Sequence, residues 1–517
     1  MFKPSLIVAA LGAAFSLTAV SVQAQNNDRV SVAVGHKAGA AAAVRNDVTK
    51  AGGRVLHDMS AADAMVIELP AKALAALAKN KNVDFVDAGV PRRILGGKGP
   101  RSTALTSTQT VPYGIPMVQA DQVSDSAAGN RNLCIVDSGI DGTHEDLAAI
   151  PKTGENFTKS GRWDTDENSH GTHVAGTIAA LNNSVGVVGV APSGTLKLHI
   201  AKVFDAAGSA SSVVIARAML SCWQAGSNVV SMSLGGDSAS PIEQRVSTLL
   251  AKKGLLLIAA AGNDGNTATS FPAGFPEVVS VAAIDANKAR AGFSQVNADV
   301  ELAAPGVAVQ STVPAFSQTG SSVDVGGMAV PSQSMDGSPR VSGAGALADF
   351  ALGETATPGS MAGKVCLIKR GNISFAQKVV NCQASGGAGA VIFNNTAGEL
   401  FGTLGETMTA IPSVGITQAD GEALLAGKLG EATSVAVFGL PDLYASYNGT
   451  SMATPHASAV AALVWSLHTS CSAEQIRASL AKSAMDLGAP GRDAEFGHGL
   501  VQAKAAHDRI TALGCGQ

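Results

Sequence analysis

Asn448-Gly-Thr-Ser-Met-Ala-Thr-Pro-His456 leads into a run of small apolar residues, 457–465, and this pattern predicts a turn followed by a buried helix. Pro455 is expected in the first helical turn, where its missing N–H is harmless. A serine at a helix N-terminus faces unpaired backbone N–H groups and the positive end of the helix dipole. Ser451 is therefore a candidate nucleophile, because an oxyanion formed beside it would be stabilised. A helix cap rich in Ser and Thr is the alternative that this segment alone leaves open.

Two further segments supply the groups that such a serine needs. The stretch Asn132-Leu-Cys-Ile-Val-Asp137 predicts a short apolar strand that ends on a carboxylate, and His170 begins a second helix of small residues. An imidazole titrates near neutral pH and can accept the serine proton. A carboxylate behind the ring fixes its tautomer and stabilises the imidazolium. The sequence therefore predicts a catalytic triad of Asp137, His170 and Ser451.

The order Asp, His, Ser, carried by three long motifs, resembles the subtilisin-like serine peptidases (subtilases). The resemblance covers roughly residues 108–315 and 442–510. It implies an α/β fold, with a doubly wound, mostly parallel sheet and a site at the carboxyl ends of the strands. It also implies a role for Asn263, which follows a predicted buried strand. The Asn263 side-chain amide and the Ser451 backbone N–H would both donate to the oxyanion.

The composition fits an α/β enzyme of more than one domain. The chain has 517 residues, of which 46% are hydrophobic and 15% charged, so a large core is available. The net charge is 36 − 40 = −4, which gives no electrostatic reason to expect nucleic acid as a partner. The 58 glycines and an aromatic content of 4% indicate close packing between helices and sheet.

The N-terminus has the pattern of a secretory signal. Lys3 precedes an apolar run at residues 6–20, and small residues in Val22-Gln-Ala24 fit a cleavage site. We expect a signal peptide at residues 1–24 and export to the periplasm or the extracellular space. No later run reaches about 18 strictly apolar residues, so a membrane anchor is not expected.

Residues 25–107 are predicted to form a separate domain. Strand and helix patterns alternate as β-α-β-β-α-β between residues 30 and 87, which is typical of a compact α+β sandwich. The resemblance implies that this domain is a propeptide that inhibits the enzyme until it is cleaved. The basic, Gly-rich residues 91–98 and the Ser/Thr-rich residues 102–110 predict a linker, with processing near residue 107. A permanent regulatory domain remains the alternative.

A long insertion, residues 316–441, separates the two parts of the predicted catalytic domain, 108–315 and 442–517. Within it, residues 363–371 and 388–395 read as strands and 375–385 as a helix. This pattern resembles the protease-associated domain that is inserted in many subtilases, so a β-rich lobe is expected. Gating or substrate recruitment, on the one hand, and simple stabilisation, on the other, both remain open as its role.

The resemblance further implies a structural calcium site. Calcium prefers oxygen ligands from carbonyl groups and carboxylates. In the matching segments the ligands would be Gln109, Asp146, Leu181, Asn183, Val185 and Val187. His173, three residues after His170, suggests zinc, but no third ligand or His-Glu-x-x-His pattern accompanies it, and a packed histidine is the preferred interpretation.

Six cysteines in an exported chain suggest three disulfides, for which fifteen pairings are formally possible. Domain membership favours three particular pairs. They are Cys134 with Cys222, Cys366 with Cys382, and Cys471 with Cys515.

Two segments resemble the walls of the family's substrate groove. Ser233-Leu-Gly-Gly236 would pair with an extended substrate, and Ala259-Ala-Ala-Gly262 would form the opposite wall. The residues expected to contact substrate are Ser233, Leu234, Gly235, Ala260 and Gly262. No acidic cluster replaces the apolar wall, so an apolar or aromatic side chain is expected before the scissile bond.

Together these features predict a secreted serine endopeptidase that is made as an inactive precursor and cleaves proteins or peptides through an acyl-enzyme. Its own propeptide would act as inhibitor. A secreted binding protein on an inactive peptidase scaffold is the alternative from another class. A missing triad or oxyanion residue would favour it, and none is missing. A narrow processing peptidase is a second alternative.

Overall fold

The computed structural model describes residues 28–98, 108–405 and 407–515. The predicted signal peptide, 1–24, and the expected processing position near residue 107 lie outside these residues. The chain divides into two compact units, residues 1–88 and 89–517.

The first unit is the α+β domain that the sequence predicts. Its strands form a sheet in the order β2-β3-β1-β4, with antiparallel pairings of β1 with β3 and β4, and of β2 with β3. Val44 and Val48 of the first helix pack against the apolar face of this sheet. The elements are β1 (Arg29–His36), α1 (Ala41–Lys50), β2 (Arg54–Met59), β3 (Ala64–Pro70), α2 (Leu74–Ala78) and β4 (Val83–Asp87).

The second unit is built on a parallel sheet in the order β15-β14-β13-β11-β7-β9-β8. The strands from its start to the insertion are β5 (Pro91–Ile94), β6 (Gly97–Lys98), β7 (Asn132–Asp137), β8 (Lys152–Asn156), β9 (Lys197–Lys202), β10 (Ser209–Ser211), β11 (Val229–Met232), β12 (Leu234–Gly235), β13 (Leu256–Ala260), β14 (Val278–Ile284), β15 (Val300–Pro305) and β16 (Val309–Thr312). The central strands β7, β11, β13 and β14 are almost wholly buried. Burial on both faces explains why they read as continuous apolar runs.

Helices cover both faces of this sheet. The helices before the insertion are α3 (Gly114–Met117), α4 (His170–Ala179), α5 (Ser212–Gln224) and α6 (Pro241–Lys252). Leu133 and Ile135 of β7 lie in the same apolar cluster as α4, whereas Cys134 is bonded to Cys222 of α5. Because successive side chains of a strand point to opposite faces, α4 and α5 lie on opposite sides. The doubly wound α/β fold is thus confirmed.

The insertion forms a lobe with its own mixed sheet, in the order β18-β17-β24-β20-β21-β22-β23-β19. Its elements are β17 (Gln318–Val325), β18 (Met328–Val330), β19 (Gln333–Ser334), β20 (Ser342–Asp349), β21 (Lys364–Lys369), α7 (Phe375–Ala384), β22 (Gly389–Phe393), β23 (Ser413–Ile416), α8 (Gln418–Gly427) and β24 (Ala432–Leu440). Two apolar clusters fill the lobe, and the Cys366–Cys382 disulfide ties β21 to α7. The expected β-rich inserted domain is therefore present.

The chain then returns to the peptidase unit through β25 (Tyr444–Asn448), α9 (Thr450–Leu467), α10 (Ala473–Ser483) and α11 (Ala503–Leu513). The third expected disulfide, Cys471–Cys515, joins the segment before α10 to the end of α11. Among the described residues, no helix has the length and apolarity needed to cross a bilayer.

Pro455 lies deeper in α9 than the sequence suggested. The helix begins at Thr450, so Pro455 is its sixth residue and lies beyond the first turn. A proline there cannot donate to the carbonyl four residues earlier, which belongs to Ser451. The Ser233 hydroxyl donates to that carbonyl instead, at 2.8 Å. The helix therefore tolerates the proline because Ser233, between β11 and β12, supplies the missing donor.

Residues 91–98 are extended strands rather than the linker expected from their composition. β5 lies between β10 and β12 and pairs antiparallel with both, while β6 pairs with β25. Gly is typical of loops, but here the partner strands on either side of β5 fix the backbone. The side chains of Arg92 and Leu95 are also buried, which anchors the segment.

Candidate active site

Asp137 and His170 meet at the carboxyl end of the parallel sheet. Asp137 is the last residue of β7 and His170 the first of α4. The His170 Nδ1 atom lies 2.8 Å and 3.0 Å from the two Asp137 carboxylate oxygens. Asp137 is fully buried and His170 is 2% exposed, so water does not compete for this contact. The carboxylate therefore fixes the orientation of the ring and leaves Nε2 to face the cleft.

Ser451 is the second residue of α9, at the positive end of the helix dipole. Its hydroxyl donates to the Ser233 carbonyl at 2.8 Å. In the described part of the chain no partner reaches His170 Nε2. The Ser451 Cβ and His170 Nε2 border the same point, because each would lie 3.2 Å from a Cβ built on Gly96. The three predicted triad residues thus share one site, and the Ser451 hydroxyl is turned away from the histidine.

Asn263 lies beside the N-terminus of α9. Its Oδ1 atom accepts hydrogen bonds from the Thr450 backbone N–H at 2.9 Å and from the Thr450 hydroxyl at 2.7 Å. Since Oδ1 is engaged twice, the Nδ2 group is the end that remains to donate elsewhere. A Cβ on Gly449, whose φ is +153°, would lie 3.1 Å from Asn263 Nδ2 and 2.5 Å from the Leu95 carbonyl oxygen. Glycine at 449 therefore keeps open the space that these two atoms border.

The segment that begins the second unit runs through this site as an extended chain. Arg93 is the Cα partner of Ser209 in β10 and of Gly235 in β12, and Ile94 is that of Leu234. The Ile94 N–H also donates to the Gly208 carbonyl at 3.2 Å. Pairing on both edges holds β5 as an added strand, which is the manner in which an extended peptide is bound to sheet edges.

The bond between Leu95 and Gly96 lies next to Ser451. The Ser451 N–H donates to the Leu95 carbonyl at 3.0 Å. A Cβ built on Gly96 would lie 3.2 Å from both Ser451 Cβ and His170 Nε2. The Leu95 carbonyl therefore lies beside Ser451, and the Gly96 backbone lies near both Ser451 and His170.

The Leu95 side chain is 5% exposed and enters a pocket beside β12. A Cβ on Gly235 would lie 2.6 Å from Leu95 Cδ1 and 2.4 Å from Ser270 Oγ. Gly235 and Ser270 thus border this pocket, and the substrate contacts predicted for 233–235 coincide with the contacts of residues 93–95. The predicted opposite wall contains Ala260 and Gly262. Ala260 is the last residue of β13, and the Gly262 N–H donates to the Thr450 hydroxyl at 3.3 Å.

Comparison with known proteins places this site in a family. Residues 130–360 and 419–499 match the family model described as Subtilase family, and together these ranges exceed half of the 517 residues. The chain belongs to the subtilase family. A second model, described as PA domain, matches residues 328–424, so the inserted lobe is a PA domain within the boundaries 316–441 expected from sequence.

Individual relatives agree with this assignment. The subtilase is 41% identical over 245 residues to subtilisin DY from Bacillus licheniformis, covering 46% of this chain and 84% of the relative. Subtilisin NAT from Bacillus subtilis subsp. natto is 35% identical over 277 residues, or 52% of this chain and 68% of the relative. A solved psychrophilic subtilisin-like protease from the Antarctic psychrotroph Pseudoalteromonas sp. AS-11 is 41% identical. The two structures align with a TM-score of 0.56, and the alignment covers 79% of this chain and 100% of that one. The subtilase is a serine endopeptidase that acts on protein substrates.

The segments with the predicted calcium ligands also come together in this subtilase. Four oxygens converge on the Gln109 side-chain amide, whose Nε2 atom lies 2.7 Å from Leu181 O, 3.0 Å from Val185 O, 3.3 Å from Asn183 Oδ1 and 3.4 Å from Val187 O. Asp146 is fully buried beside them and accepts from Asn183 Nδ2 at 2.8 Å and from the Val187 N–H at 3.1 Å. Within the described residues, no group of three His, Cys, Asp or Glu side chains suggests another metal site.

His173 packs inside the subtilase core. Its ring stacks on Tyr447 with the centroids 4.3 Å apart, and Nε2 lies 3.0 Å from Val309 O and 3.1 Å from Ala445 O. Burial, and secondarily the neighbouring His170, lowers the pKa of His173 to about 3. The ring is therefore neutral at working pH and donates its single N–H to the backbone, which fits the packed histidine expected from sequence.

Some features of the site have no signal in the sequence. Thr450, which orients Asn263, reads as an ordinary polar residue of a loop or helix cap. Ser233 is expected from the sequence to contact substrate, but its hydrogen bond to the Ser451 carbonyl is not. Residues 91–96 fill the cleft although their composition resembles a linker. A run of extended residues directly before the catalytic domain of a precursor is the signal that could have identified them.

Proposed function

We propose that this subtilase is exported as an inactive precursor and that it first cleaves its own chain between Leu95 and Gly96. The observation that carries the proposal is the hydrogen bond of 3.0 Å from the Ser451 N–H to the Leu95 carbonyl. The Ser451 N–H is one of the two donors expected to hold a substrate carbonyl. The strands on both sides of β5 keep the peptide bond between Leu95 and Gly96 next to this donor. The proposed cut lies upstream of the position near residue 107 that composition suggested.

The reaction follows from the positions of the side chains. His170 Nε2 takes the proton from the Ser451 hydroxyl as the oxygen attacks the Leu95 carbonyl carbon. The negative charge that develops on the carbonyl oxygen is stabilised by the Ser451 N–H and by Asn263 Nδ2. The imidazolium then protonates the Gly96 nitrogen, which leaves, and an acyl-enzyme remains on Ser451. Water, activated by the same imidazole, releases the Leu95 carboxylate.

The same segment accounts for inhibition. After the cut, residues 89–95 retain their pairing with β10 and β12, so the product occupies the groove that a substrate needs. Val90 and Ser212 add a reciprocal pair of bonds, from the Ser212 N–H to the Val90 carbonyl at 2.8 Å and from the Val90 N–H to the Ser212 hydroxyl at 3.0 Å. Activity on other proteins therefore requires this product to dissociate or to be digested.

A calcium ion is the second part of the proposal. The concave set of oxygens around Gln109 fits a hard cation, because backbone carbonyls, an amide oxygen and a carboxylate are its preferred ligands. The amide of Gln109 is assigned with its nitrogen inward, and a flip would turn Oε1 towards the same point. Gln109, Asn183, Asp146 and the carbonyls of residues 181, 185 and 187 would hold the ion, which would stabilise the loop and take no part in the reaction.

The test is to express the full chain with its leader, as wild type and as Ser451→Ala, and to determine N-termini and activity on casein. We expect the wild type to show a product that ends at Leu95, together with casein hydrolysis. Ser451→Ala should keep the bond between Leu95 and Gly96 intact and show no hydrolysis. Equal processing and activity in the two proteins would refute the assignment, and a first cut elsewhere would refute only the position.

A further inference from the structure

Arg92, three residues before Leu95, carries its charge into the interior of the protein. The Arg92 and Glu243 side chains are both 0% exposed. The guanidinium is bonded at two nitrogens, with Nε 3.1 Å from Glu243 Oε1 and Nη2 donating to Oε2. A bidentate pair of this kind fixes the plane of the guanidinium as well as its charge.

The surroundings of the pair complete a site for a guanidinium. Arg92 Nη2 also donates to the Ser238 carbonyl at 2.9 Å, and Nη1 donates to the Pro91 carbonyl at 2.9 Å. A Cβ on Gly236 would lie 3.0 Å from Arg92 Nη1 and 2.4 Å from the Pro91 carbonyl, so a side chain there would close the pocket. Carbonyl oxygens and a carboxylate accept from a cation, and none of these groups is suited to an apolar side chain.

Glu243 is held in place independently of Arg92. It is the third residue of α6, and its N–H faces the hydroxyl of the capping residue Ser240 at 3.4 Å. Its carbonyl accepts from the Ser247 hydroxyl one turn later at 2.9 Å. The carboxylate therefore belongs to helix α6, whereas its partner belongs to β5, the segment that lies along β12.

We propose that Glu243 is a specificity-determining residue, a proposal that rests on the proposed function. The enzyme would select protein substrates that carry an arginine three residues before the apolar residue after which the chain is cut. If a substrate carried an apolar side chain at this position, Glu243 would be a buried carboxylate without a partner. Leaving one member of a buried charge pair unpaired is costly. Lysine would be accepted less well, because a point charge cannot make the bidentate contact.

The neighbouring Arg93 provides an internal comparison. Its side chain is 55% exposed and lies 3.5 Å from the Asp264 side chain, which is 44% exposed. Exposed pairs contribute little, so the residue at this position is expected to be read weakly. Two adjacent arginines of the same segment thus differ in burial, and the proposal predicts that only the first one is selected.

The first experiment uses wild-type enzyme, matured from the full chain, and peptides that copy residues 88–100. We expect the change Arg92→Leu in the peptide to lower kcat/KM by about 30-fold or more, because Glu243 loses its charged partner. Each tenfold change corresponds to about 1.4 kcal/mol. The change Arg93→Ala should alter it by less than about 3-fold. Equal cleavage of the parent and Arg92→Leu peptides would overturn the proposal.

The second experiment changes the enzyme. Glu243→Gln keeps the volume but removes the charge, and Glu243→Leu replaces the carboxylate with an apolar group. Both should reduce the preference for the parent peptide over Arg92→Leu, and Glu243→Leu should reverse it. Titration of the reactive serine with a sulfonyl fluoride gives the concentration of folded enzyme in each sample. A preference that survives in both variants would refute the role of Glu243.

The two proposals fail in different ways. If the proposed function is wrong, neither peptide is cleaved by the wild type, or Ser451→Ala cleaves them as well. If only the inference is wrong, both peptides are cleaved, Ser451→Ala cleaves neither, and the ratio between the peptides is near one.

Discussion

Asn263 is fixed by its own carbonyl oxygen. Because Oδ1 accepts from both the N–H and the hydroxyl of Thr450, the amide has one orientation, with Nδ2 towards the space that the Leu95 carbonyl borders. A donor that is already oriented costs no reorganisation when charge develops on the substrate oxygen. The threonine next to the nucleophile is therefore a positioning residue for the oxyanion site.

This arrangement predicts the effect of two substitutions. Asn263→Ala should lower kcat by about 10²–10³-fold, the range known for the corresponding donor of subtilisin itself, and change KM little. Thr450→Val, which keeps the backbone bond to Asn263 and loses only the hydroxyl, should lower kcat by a smaller factor. Steady-state kinetics on one peptide checks both. A loss confined to KM would show that Asn263 binds the ground state instead.

The buried His173 makes stability depend on pH. Its pKa is lowered to about 3 in the folded protein, whereas an unfolded histidine titrates near pH 6.5. As the pH falls below about 6.5, the unfolded state takes up a proton that the folded state refuses, so stability is lost as the pH decreases towards about 3. The slope from one such histidine is at most about 1.4 kcal/mol per pH unit.

Denaturant midpoints of the Ser451→Ala protein, which cannot digest itself, test this between pH 7.5 and 4.5. The protein should lose stability towards the acid end, and Ser451→Ala/His173→Gln should show a shallower decrease. Parallel curves would mean that other groups carry the dependence. His456, whose pKa burial lowers to about 4, should remain as a second source in the variant.

At this scale the sequence predicts the residues whose surroundings are local. Asp137 ends a buried strand, and His170 and Ser451 lie at the starts of helices, so the context of each is indicated by adjacent residues. Glu243 and Arg92 are separated by 151 positions, and each alone reads as a surface charge. Their pairing follows only from the way in which β5 lies in the groove.

Among the elements, the loop that follows α4 is the one around which the calcium site is proposed. Its carbonyls at residues 181, 185 and 187 point to one centre, together with Asn183 Oδ1, and a cation there would bind only the folded state. A ligand of this kind stabilises a protein by about 2.7 kcal/mol when its concentration is 100 times the dissociation constant.

Removal of calcium should therefore lower the Tm of the Ser451→Ala protein by several degrees, as calorimetry with and without a chelator would show. Ser451→Ala/Asp146→Asn, which keeps the shape of the side chain and loses its charge, should have a lower Tm that responds less to chelation. If the chelator leaves the Tm of Ser451→Ala unchanged, the loop holds no calcium that matters for stability.

The elements also mark where sequence patterns succeed and fail. Strands such as β7 and β13 are buried on both faces, so their apolar runs predict them directly. β5 has no such pattern, because its backbone is fixed by β10 and β12 and not by the periodicity of its own side chains. α9 begins earlier than expected, and Ser233, which lies between β11 and β12, compensates for Pro455.

On the scale of the whole molecule, the inserted domain is attached at one place in the peptidase fold. β16 and β25, which flank it, pair with each other, and Thr312 is the Cα partner of Tyr444. The next pair continues the ladder, with the Val313 N–H donating to the Leu443 carbonyl at 2.7 Å. The two strands would form a plain hairpin if the insertion were absent.

We therefore expect that residues 314–442 can be replaced by Asn-Gly, a preferred two-residue hairpin turn. The deletion removes Cys366 and Cys382 together, so no thiol is left unpaired. The shortened enzyme should fold and retain short-peptide kcat/KM within about 10-fold, because the triad lies outside the insertion. Activity on casein is compared with activity on the peptide. A loss on casein alone would indicate that the inserted domain recruits protein substrates, whereas equal changes on both would indicate that it only stabilises the enzyme. An insoluble or unprocessed product would show that the peptidase unit depends on the insertion.

The hairpin formed by β16 and β25 also bears on how such genes diversify. Where a chain departs and returns through two directly paired residues, one in-frame insertion is enough to add a lobe, and one in-frame deletion is enough to lose it. Neither event breaks a strand of the central sheet or moves the nucleophile. Lineages that share this catalytic machinery can thus gain or discard an accessory domain in a single genetic step.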